Sequence, residues 1–424
     1  MTKLKTAIRR LLPRDVTRHI YRWQAKRYVD SLNASRDSTK KTLLVLNHFW
    51  EQDIRALANA NTEYNLVAID APTLFKGAKI HFRNDVQTMN APYASEDEEN
   101  RRRWRNECRY IFDLLENRFG VNLIISPSDR FYWIREFINV AHEHRIRTVL
   151  LDKEGTLTPQ YYKAESARAR TNSPYISDHI YVWSERQRRF WNMAGVADEQ
   201  ITVIGQPRSD LFYTEKRFDV DNLVPSVKPL VTFFSYHDDA YIPIDIVQRE
   251  HVTWCRMKTE THDEIYRLAR EYKDYNFVVK AHPQQPDLAE LQARYKLDNL
   301  RVVGGSSLGN ELIQRSELIV AFQTTAVIEA MFLDKRVIYT YWDDLLPRLE
   351  DDLLPFHRAR GIRVARSASE LRRMCAQFLD GDDSLFRFTT EELKARDDFV
   401  NTYLFKPDGH VCERFYESIR QSVK

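Results

Sequence analysis

Three short polar clusters in the second half of the chain carry residue types suited to a phosphate ester. His282-Pro283 closes the run FVVKAHP, Gly304-Gly305-Ser306-Ser307 closes NLRVV, and Gln323-Thr324-Thr325 closes ELIVAF. Thr324 and Thr325 stand where a strand passes into a helix, so their hydroxyls and the helix's first N–H groups can hold an anion at the positive end of the dipole. Glu329 follows Thr325 by four residues on the same helix face; this is not capping-box spacing, and a carboxylate there can accept from ribose hydroxyls. His282, oriented by the proline, can donate to a phosphate oxygen as a leaving group departs. Plainer roles stand beside these: threonines at a helix start serve as caps, and a His-Pro at a strand end is a common turn.

What raises the clusters above their plainer roles is their placement. Apolar runs at 276–281, 300–303, 318–322 and 337–340 are separated by helix-length segments, the rhythm of a parallel sheet with crossover helices. Loops after the carboxyl ends of such strands lie along one crevice. The three clusters are therefore expected to face one site.

The first half has the same rhythm, with strands expected at 42–49 (TLLVLNHF), 66–70, 121–126, 148–152, 179–183 and 201–204. A highly charged helix over 96–118 is expected to be an outer, solvated one. The fold class is thus α/β, two doubly wound parallel-sheet domains. The expected boundaries are a basic segment 1–36, a first domain 37–210, a linker 211–228, a second domain 229–404 and a C-terminal helical segment 405–424.

Three further loops carry chemistry. Asp152-Lys153-Glu154-Gly155 follows the fourth strand, where a carboxylate can face the crevice and the glycine admits another group against its backbone; an ordinary salt-bridged loop acid is the alternative. Gly205 to Asp210 (GQPRSD) is a strand end with a proline-fixed turn. Arg208 can reach a phosphate from there, or pair with Asp210. The strand LVTFFSYHDDAY ends in Ser235, His237, Asp238 and Asp239, a group that invites a metal; consecutive residues rarely all face one ion, so a polar loop beside the donor is the simpler account and no metal is assigned.

Composition narrows the classes. At 424 residues, 43% hydrophobic and 12% aromatic, the chain can fill two cores. No window approaches the roughly 18–20 apolar residues of a membrane span, and no secretory signal is expected at the N-terminus. Cys108, Cys255, Cys375 and Cys412 have no paired spacing, which fits a reducing cytoplasm. The 64 basic and 61 acidic residues leave a net charge of +3, with no global affinity for nucleic acid. Neither G-x-G-x-x-G nor a Walker A sequence occurs, which argues against a dinucleotide-dependent enzyme and a P-loop kinase.

The pattern KAHP, a serine-rich loop, then Thr-Thr-x-x-x-Glu-Ala resembles the nucleotide half of GT-B glycosyltransferases of bacterial surface-carbohydrate biosynthesis. It is most similar to bacterial sialyltransferases, Kdo transferases and CDP-glycerol glycerophosphotransferases, in which a His-Pro motif and a Ser/Thr pair bind a cytidine nucleotide's phosphate. Glu154-Gly155 resembles the acidic-acidic-Gly motif that supplies the sialyltransferase general base, with Lys153 in one acidic position. GQPRSD resembles the G-N-P-R-x-D segment of these families. Asp408-Gly409 with Arg414 resembles the ending of the CDP-glycerol enzymes, although Phe322-Gln323 replaces their Asp-Tyr-Ser pattern.

The resemblance implies a nucleotide-sugar-dependent glycosyltransferase with a cleft between its halves. Glu154 would be the base and His282 would stabilise the departing phosphate, with Gln323, Thr324, Thr325, Glu329, Ser306 and Ser307 around the nucleotide and Ser235, His237 and Arg208 near the donor. A CMP-linked acidic sugar and a glycan or lipid-linked acceptor are expected, with no cofactor. Open alternatives are a CDP-glycerol-type transferase, a UDP-sugar epimerase and a non-catalytic nucleotide-binding scaffold. In 1–30, Arg14, Arg18, Arg22 and Lys26 form an i, i+4 row beside Val16, Ile20 and Trp23. That helix is expected either to lie on an anionic membrane, making the protein peripheral on the inner face of the cytoplasmic membrane, or to pack on the protein by that apolar stripe.

Overall fold

The computed structural model describes residues 14–33, 36–48, 50–82, 98–153, 155–214, 228–283, 285–305 and 308–421. The chain divides into two units. One comprises Met1–Gly155, Lys163–Arg208 and His410–Lys424, the other Thr156–Tyr162 and Ser209–Gly409.

The first unit holds β1 (Thr42–Asn47), β2 (Asn65–Asp70), β3 (Val121–Ser126), β4 (Arg147–Leu151), β5 (His179–Val182) and β6 (Ile201–Val203). They form one parallel sheet in the order β2-β1-β3-β4-β5-β6. Leu43, Leu44, Val45 and Leu46 of β1 are all buried, the unbroken apolar run of a strand covered on both faces. After β2 the chain returns to the other side of β1, so the switch point of the sheet lies between β1 and β3.

Four helices of this unit are α1 (Arg14–Ser31), α2 (Glu51–Ala60), α3 (Glu98–Phe119) and α4 (Tyr132–Glu143). The sequence expectation for α1 is corrected on one point. Tyr21, Ala25 and Val29 form its buried stripe, whereas Val16, Ile20 and Trp23 lie outside it, 41%, 38% and 56% exposed. Arg18 and Arg22 are drawn inward by the buried Glu107, at 2.6 and 2.7 Å. Helix α3 is not a wholly solvated helix either. Trp104, Cys108, Ile111, Phe112, Leu115 and Phe119 run down one side into the core, a stripe at helical spacing hidden among charged neighbours.

The second unit holds β7 (Leu230–Phe234), β8 (Asn276–Lys280), β9 (Leu300–Val303), β10 (Ser316–Ala321), β11 (Arg336–Thr340) and β12 (Arg363–Ala365). These too are all parallel, in the order β12-β11-β10-β7-β8-β9, with the switch point between β7 and β10. Helix α5 (Cys255–Glu271) packs on β8, and α6 (Ala326–Phe332) follows β10. Helix α7 (Thr390–Leu404) starts in a capping box of Thr389 and Glu392 and packs against α6.

The last helix, α8 (Val411–Arg420), belongs to the first unit. Tyr416 Oη donates to the Leu57 carbonyl at 2.8 Å and Arg414 Nε to the Ile204 carbonyl at 2.9 Å. Among the described residues no helix is long and apolar enough to cross a membrane.

Candidate functional site

In the second unit β7 lies between β10 and β8, so the polar clusters that follow these three strands are neighbours along one edge. After β7, His237 Nδ1 meets Asp239 Oδ1 at 2.7 Å, and its ring stands edge-on to His282 with centroids 5.5 Å apart. Lys258 of α5 bridges Asp238 and Asp287 at 2.8 and 2.5 Å, tying the β7 loop to the β8 loop. The two acids of the His-Asp-Asp group thus turn to different partners.

A relay of hydrogen bonds holds the His-Pro turn. The His282 N–H donates to Gln285 Oε1 at 3.0 Å, which leaves Gln285 Nε2 to donate to Ser235 Oγ at 3.2 Å. Ser235 Oγ also lies 2.9 Å from His262 Nε2, a contact that either tautomer of the imidazole can make, with Nδ1 on the other side of the ring. That buried Nδ1 has no partner among the described residues. Burial first, and Lys258 second, push the His262 imidazole down to about 3, so it stays neutral. Ser235, expected as a donor contact, joins Gln285 to His262 and so supports the turn.

His282 itself is exposed as a residue. Desolvation of the imidazole, with His237 and Lys280 nearby, nevertheless lowers its pKa to about 4. The solvated rim of the ring limits the size of that shift; its direction suffices to keep the ring neutral at pH 7, a donor at one nitrogen and an acceptor at the other.

Beyond β10 the expectations divide. Gln323, with φ +43°, is 1% exposed. Its Nε2 donates to Tyr339 Oη at 2.6 Å and the Leu354 carbonyl at 2.9 Å, while its Oε1 accepts from the Leu354 N–H at 2.9 Å. Gln323, expected beside the nucleotide, clamps the loop around Leu354. Thr324 Oγ1 accepts from the Ala326 N–H at 3.3 Å, a local capping contact. Thr325 is half-buried, and its hydroxyl makes no hydrogen bond among the described residues. Glu329 is buried one turn further on. After β9, Gly305 adopts φ +87°, which requires glycine; Ser306 and Ser307 lie outside the described residues.

Sequence reasoning passed over Lys280, the last residue of β8. Its ammonium is buried and donates to the carbonyls of Ala281 and Gly305. The available signal was a lone charge at the end of an otherwise apolar strand, two residues before the histidine that drew the attention.

The first unit's edge is built differently. Glu154 lies outside the described residues, but its neighbours are fixed. Asp152 Oδ2 accepts from Trp191 Nε1 at 2.7 Å, Lys153 Nζ donates to the His48 carbonyl at 3.1 Å, and Gly155 packs on Trp183 so closely that a Cβ would lie 2.1 Å from Cε3. Arg208 covers the same Trp183 ring at 4.9 Å. Asp53 is a partner of Arg208: the Arg208 N–H donates to Oδ1 at 3.2 Å and Nη1 lies 3.5 Å from Oδ2. The ring of His48 stands against Phe131 and Trp133, at 4.7 and 5.6 Å, and burial lowers its pKa to about 4.

No protein-family model matches this sequence, and no curated protein does. Solved structures do match over nearly the whole chain. A structure of the wall teichoic acid polymerase TagF soaked with CDPG is 9% identical, with 100% of this chain and 99% of that one covered and a TM-score of 0.52. The UDP-GlcNAc 2-epimerase of Methanocaldococcus jannaschii is 13% identical, covering 90% of this chain and 99% of its own, at 0.51. The MnaA–UDP co-structure from S. aureus is 12% identical, covering 91% and 98%, also at 0.51. At such identities the likeness is one of fold, and the fold they share with this chain is the GT-B fold.

Proposed function

We propose that this protein is a glycosyltransferase of bacterial surface-polysaccharide biosynthesis that takes its sugar from a nucleotide-activated donor, CMP-linked and acidic. The observation that carries the proposal is the edge of the second sheet. A neutral His282, His237, the Gly304-Gly305 turn and the open hydroxyl of Thr325 follow four strands of one parallel sheet around its switch point. In the proposed reaction the acceptor hydroxyl, deprotonated by Glu154, attacks the donor's anomeric carbon. The bond from that carbon to the phosphate oxygen breaks, and CMP departs with the electron pair. His282, being neutral, contributes an N–H hydrogen bond to the phosphate and is not a strong acid; Glu329 is the proposed ribose acceptor.

The GT-B structures named for a CDPG-soaked polymerase and for UDP-GlcNAc epimerases keep two other donors in view. Thermal shift and calorimetry with CMP, CDP, UMP, UDP and GDP separate them. Selective CMP binding is expected, weakened about tenfold or more by His282→Ala, since a hydrogen bond to a charged group is worth roughly 1.5–3 kcal/mol. Preference for UDP or GDP removes the cytidine assignment, and no nucleotide binding overturns the proposal.

We further propose that α1 rests on an anionic membrane, the protein being peripheral on its cytoplasmic side. Val16, Ile20 and Trp23 are exposed on one side of the helix, and residues 1–13 add Lys3, Lys5, Arg9 and Arg10 with no acid. A lipid-linked acceptor would lie on that same surface.

A further inference from the structure

The ammonium of Lys280 is in an unusual position for a charge. The residue is 5% exposed, at the end of a strand whose other members are buried. Its acceptors are two neutral carbonyls, those of Ala281 and Gly305, and an ammonium has three protons to place. Desolvation alone pulls its pKa down to about 8.

The charged groups packed around β8 are all engaged elsewhere. On α5, Lys258 holds Asp238 and Asp287, Trp342 Nε1 donates to Glu260, His262 shares a hydrogen bond with Ser235, and Glu264 is bound by Arg267 and Arg372. On β9, Arg301 Nη1 donates to the Leu297 and Leu300 carbonyls, and β7 (LVTFF) has no titratable side chain. At the edge Asp239 is taken by His237, and His237 and His282 carry no negative charge to offer. A buried cation without an acid costs free energy that a fold rarely leaves unanswered.

We infer that Lys280 is the cation of an anion-binding site at the ends of β8 and β9, and that its counter-ion is an oxyanion of the ligand, a phosphate or a sugar carboxylate. The carbonyl of Gly305 fixes the ammonium beside the turn that leads into Ser306, and His282 stands two residues away on the other side. This rests on the nucleotide-donor proposal for the ligand's identity but not for the site itself. The two oxyanion sources are separable, because cytidine, CMP and N-acetylneuraminate differ in which of the groups they carry.

The test is calorimetry of the full chain with cytidine, CMP, inorganic pyrophosphate and N-acetylneuraminate, for wild type, Lys280→Gln and Lys280→Arg. Lys280→Gln is expected to weaken CMP, or N-acetylneuraminate if the carboxylate is the partner, about tenfold or more while leaving cytidine unchanged; Lys280→Arg is expected to stay within about threefold. A second readout needs no variant. Above pH 7.5 the CMP phosphate is fully ionised, so wild-type affinity is expected to fall by up to about tenfold per pH unit once Lys280 loses its proton, above about 8. Lys280→Arg is expected to be flat over that range.

CMP and N-acetylneuraminate binding that both stay within twofold in Lys280→Gln, and are flat with pH in wild type, overturn the inference and leave the nucleotide proposal standing. Pyrophosphate binding that depends on Lys280, with no binding of any nucleotide beyond it, leaves the anion site and removes the proposed donor. A wild-type protein that binds none of the four overturns both.

Discussion

At the first sheet's edge the charges close on one another or on dipoles. Asp53 takes Arg208, Asp152 takes the Trp191 indole, and Lys153 ends on the His48 carbonyl. At the second sheet's edge Lys280 has only carbonyls, and His237 faces His282 with the exposed Asp239 beside it. Both sheets have the same parallel, doubly wound topology and one switch point each, so topology does not separate their roles. Side-chain charge does. At the second edge the buried Lys280 has no acid among the described residues, although its neighbour Lys258 holds two, whereas at the first edge Arg208 shares the buried Asp53.

The strongest way to break this contrast is to unpair the first edge. Asp53 is buried; burial raises its pKa and Arg208 opposes that rise. Asp53→Ala is expected to cost about 3 kcal/mol, because it removes the buried carboxylate that faces the Arg208 guanidinium. Lys280→Gln, by contrast, removes a charge that has no acid to lose and is expected to leave stability equal or higher at pH 7. Urea denaturation of the two variants reads both, and equal losses would dissolve the distinction between the edges.

A somewhat smaller effect sharpens it from the second edge. His262 has a folded pKa lowered to about 3, so the unfolded chain takes up a proton that the folded chain refuses. Stability therefore falls as pH drops below about 6.5, by about 2 kcal/mol from this residue between pH 7 and pH 5. His48 and His282, both lowered to about 4, act in the same direction. The difference between wild type and His262→Gln over that range isolates the relay; a difference near zero would mean that Ser235 and Gln285 hold the His-Pro turn without it.

Much of the fold was legible because parallel strands buried on both faces announce themselves as apolar runs: VNLIIS, LVTFF and NFVVK are each a strand to within a residue. The clusters after them were legible for the same reason, since a strand's end fixes where its next residues lie. What could not be read was which polar groups face inward. Gln323 stands beside two threonines in sequence, yet a positive φ turns it toward Leu354 and Tyr339, thirty-one and sixteen residues away. Arg208 is bound to Asp53, one hundred and fifty-five residues earlier, a partner that nothing near it in sequence announces. Helix α3 misled through composition, because its apolar stripe is a minority of its residues. Each failure is one of side-chain direction set by tertiary contact, which no local pattern encodes.

The smallest stability effect belongs to α1, whose outer side carries exposed apolar residues beside basic ones. Arg18 and Arg22 are committed to Glu107, and Lys26 to Asp30, while Arg27 lies over the exposed Trp23 ring. Replacing Val16, Ile20 and Trp23 by serine removes exposed apolar surface only, so thermal stability is expected to change by less than about 0.5 kcal/mol per site. Binding to vesicles rich in phosphatidylglycerol is expected to fall several-fold, and binding of wild type to weaken with added salt. Unchanged sedimentation with vesicles in the triple variant would assign the helix to packing alone, through Tyr21, Ala25 and Val29, and would leave the second sheet's edge as the place where this protein meets negative charge.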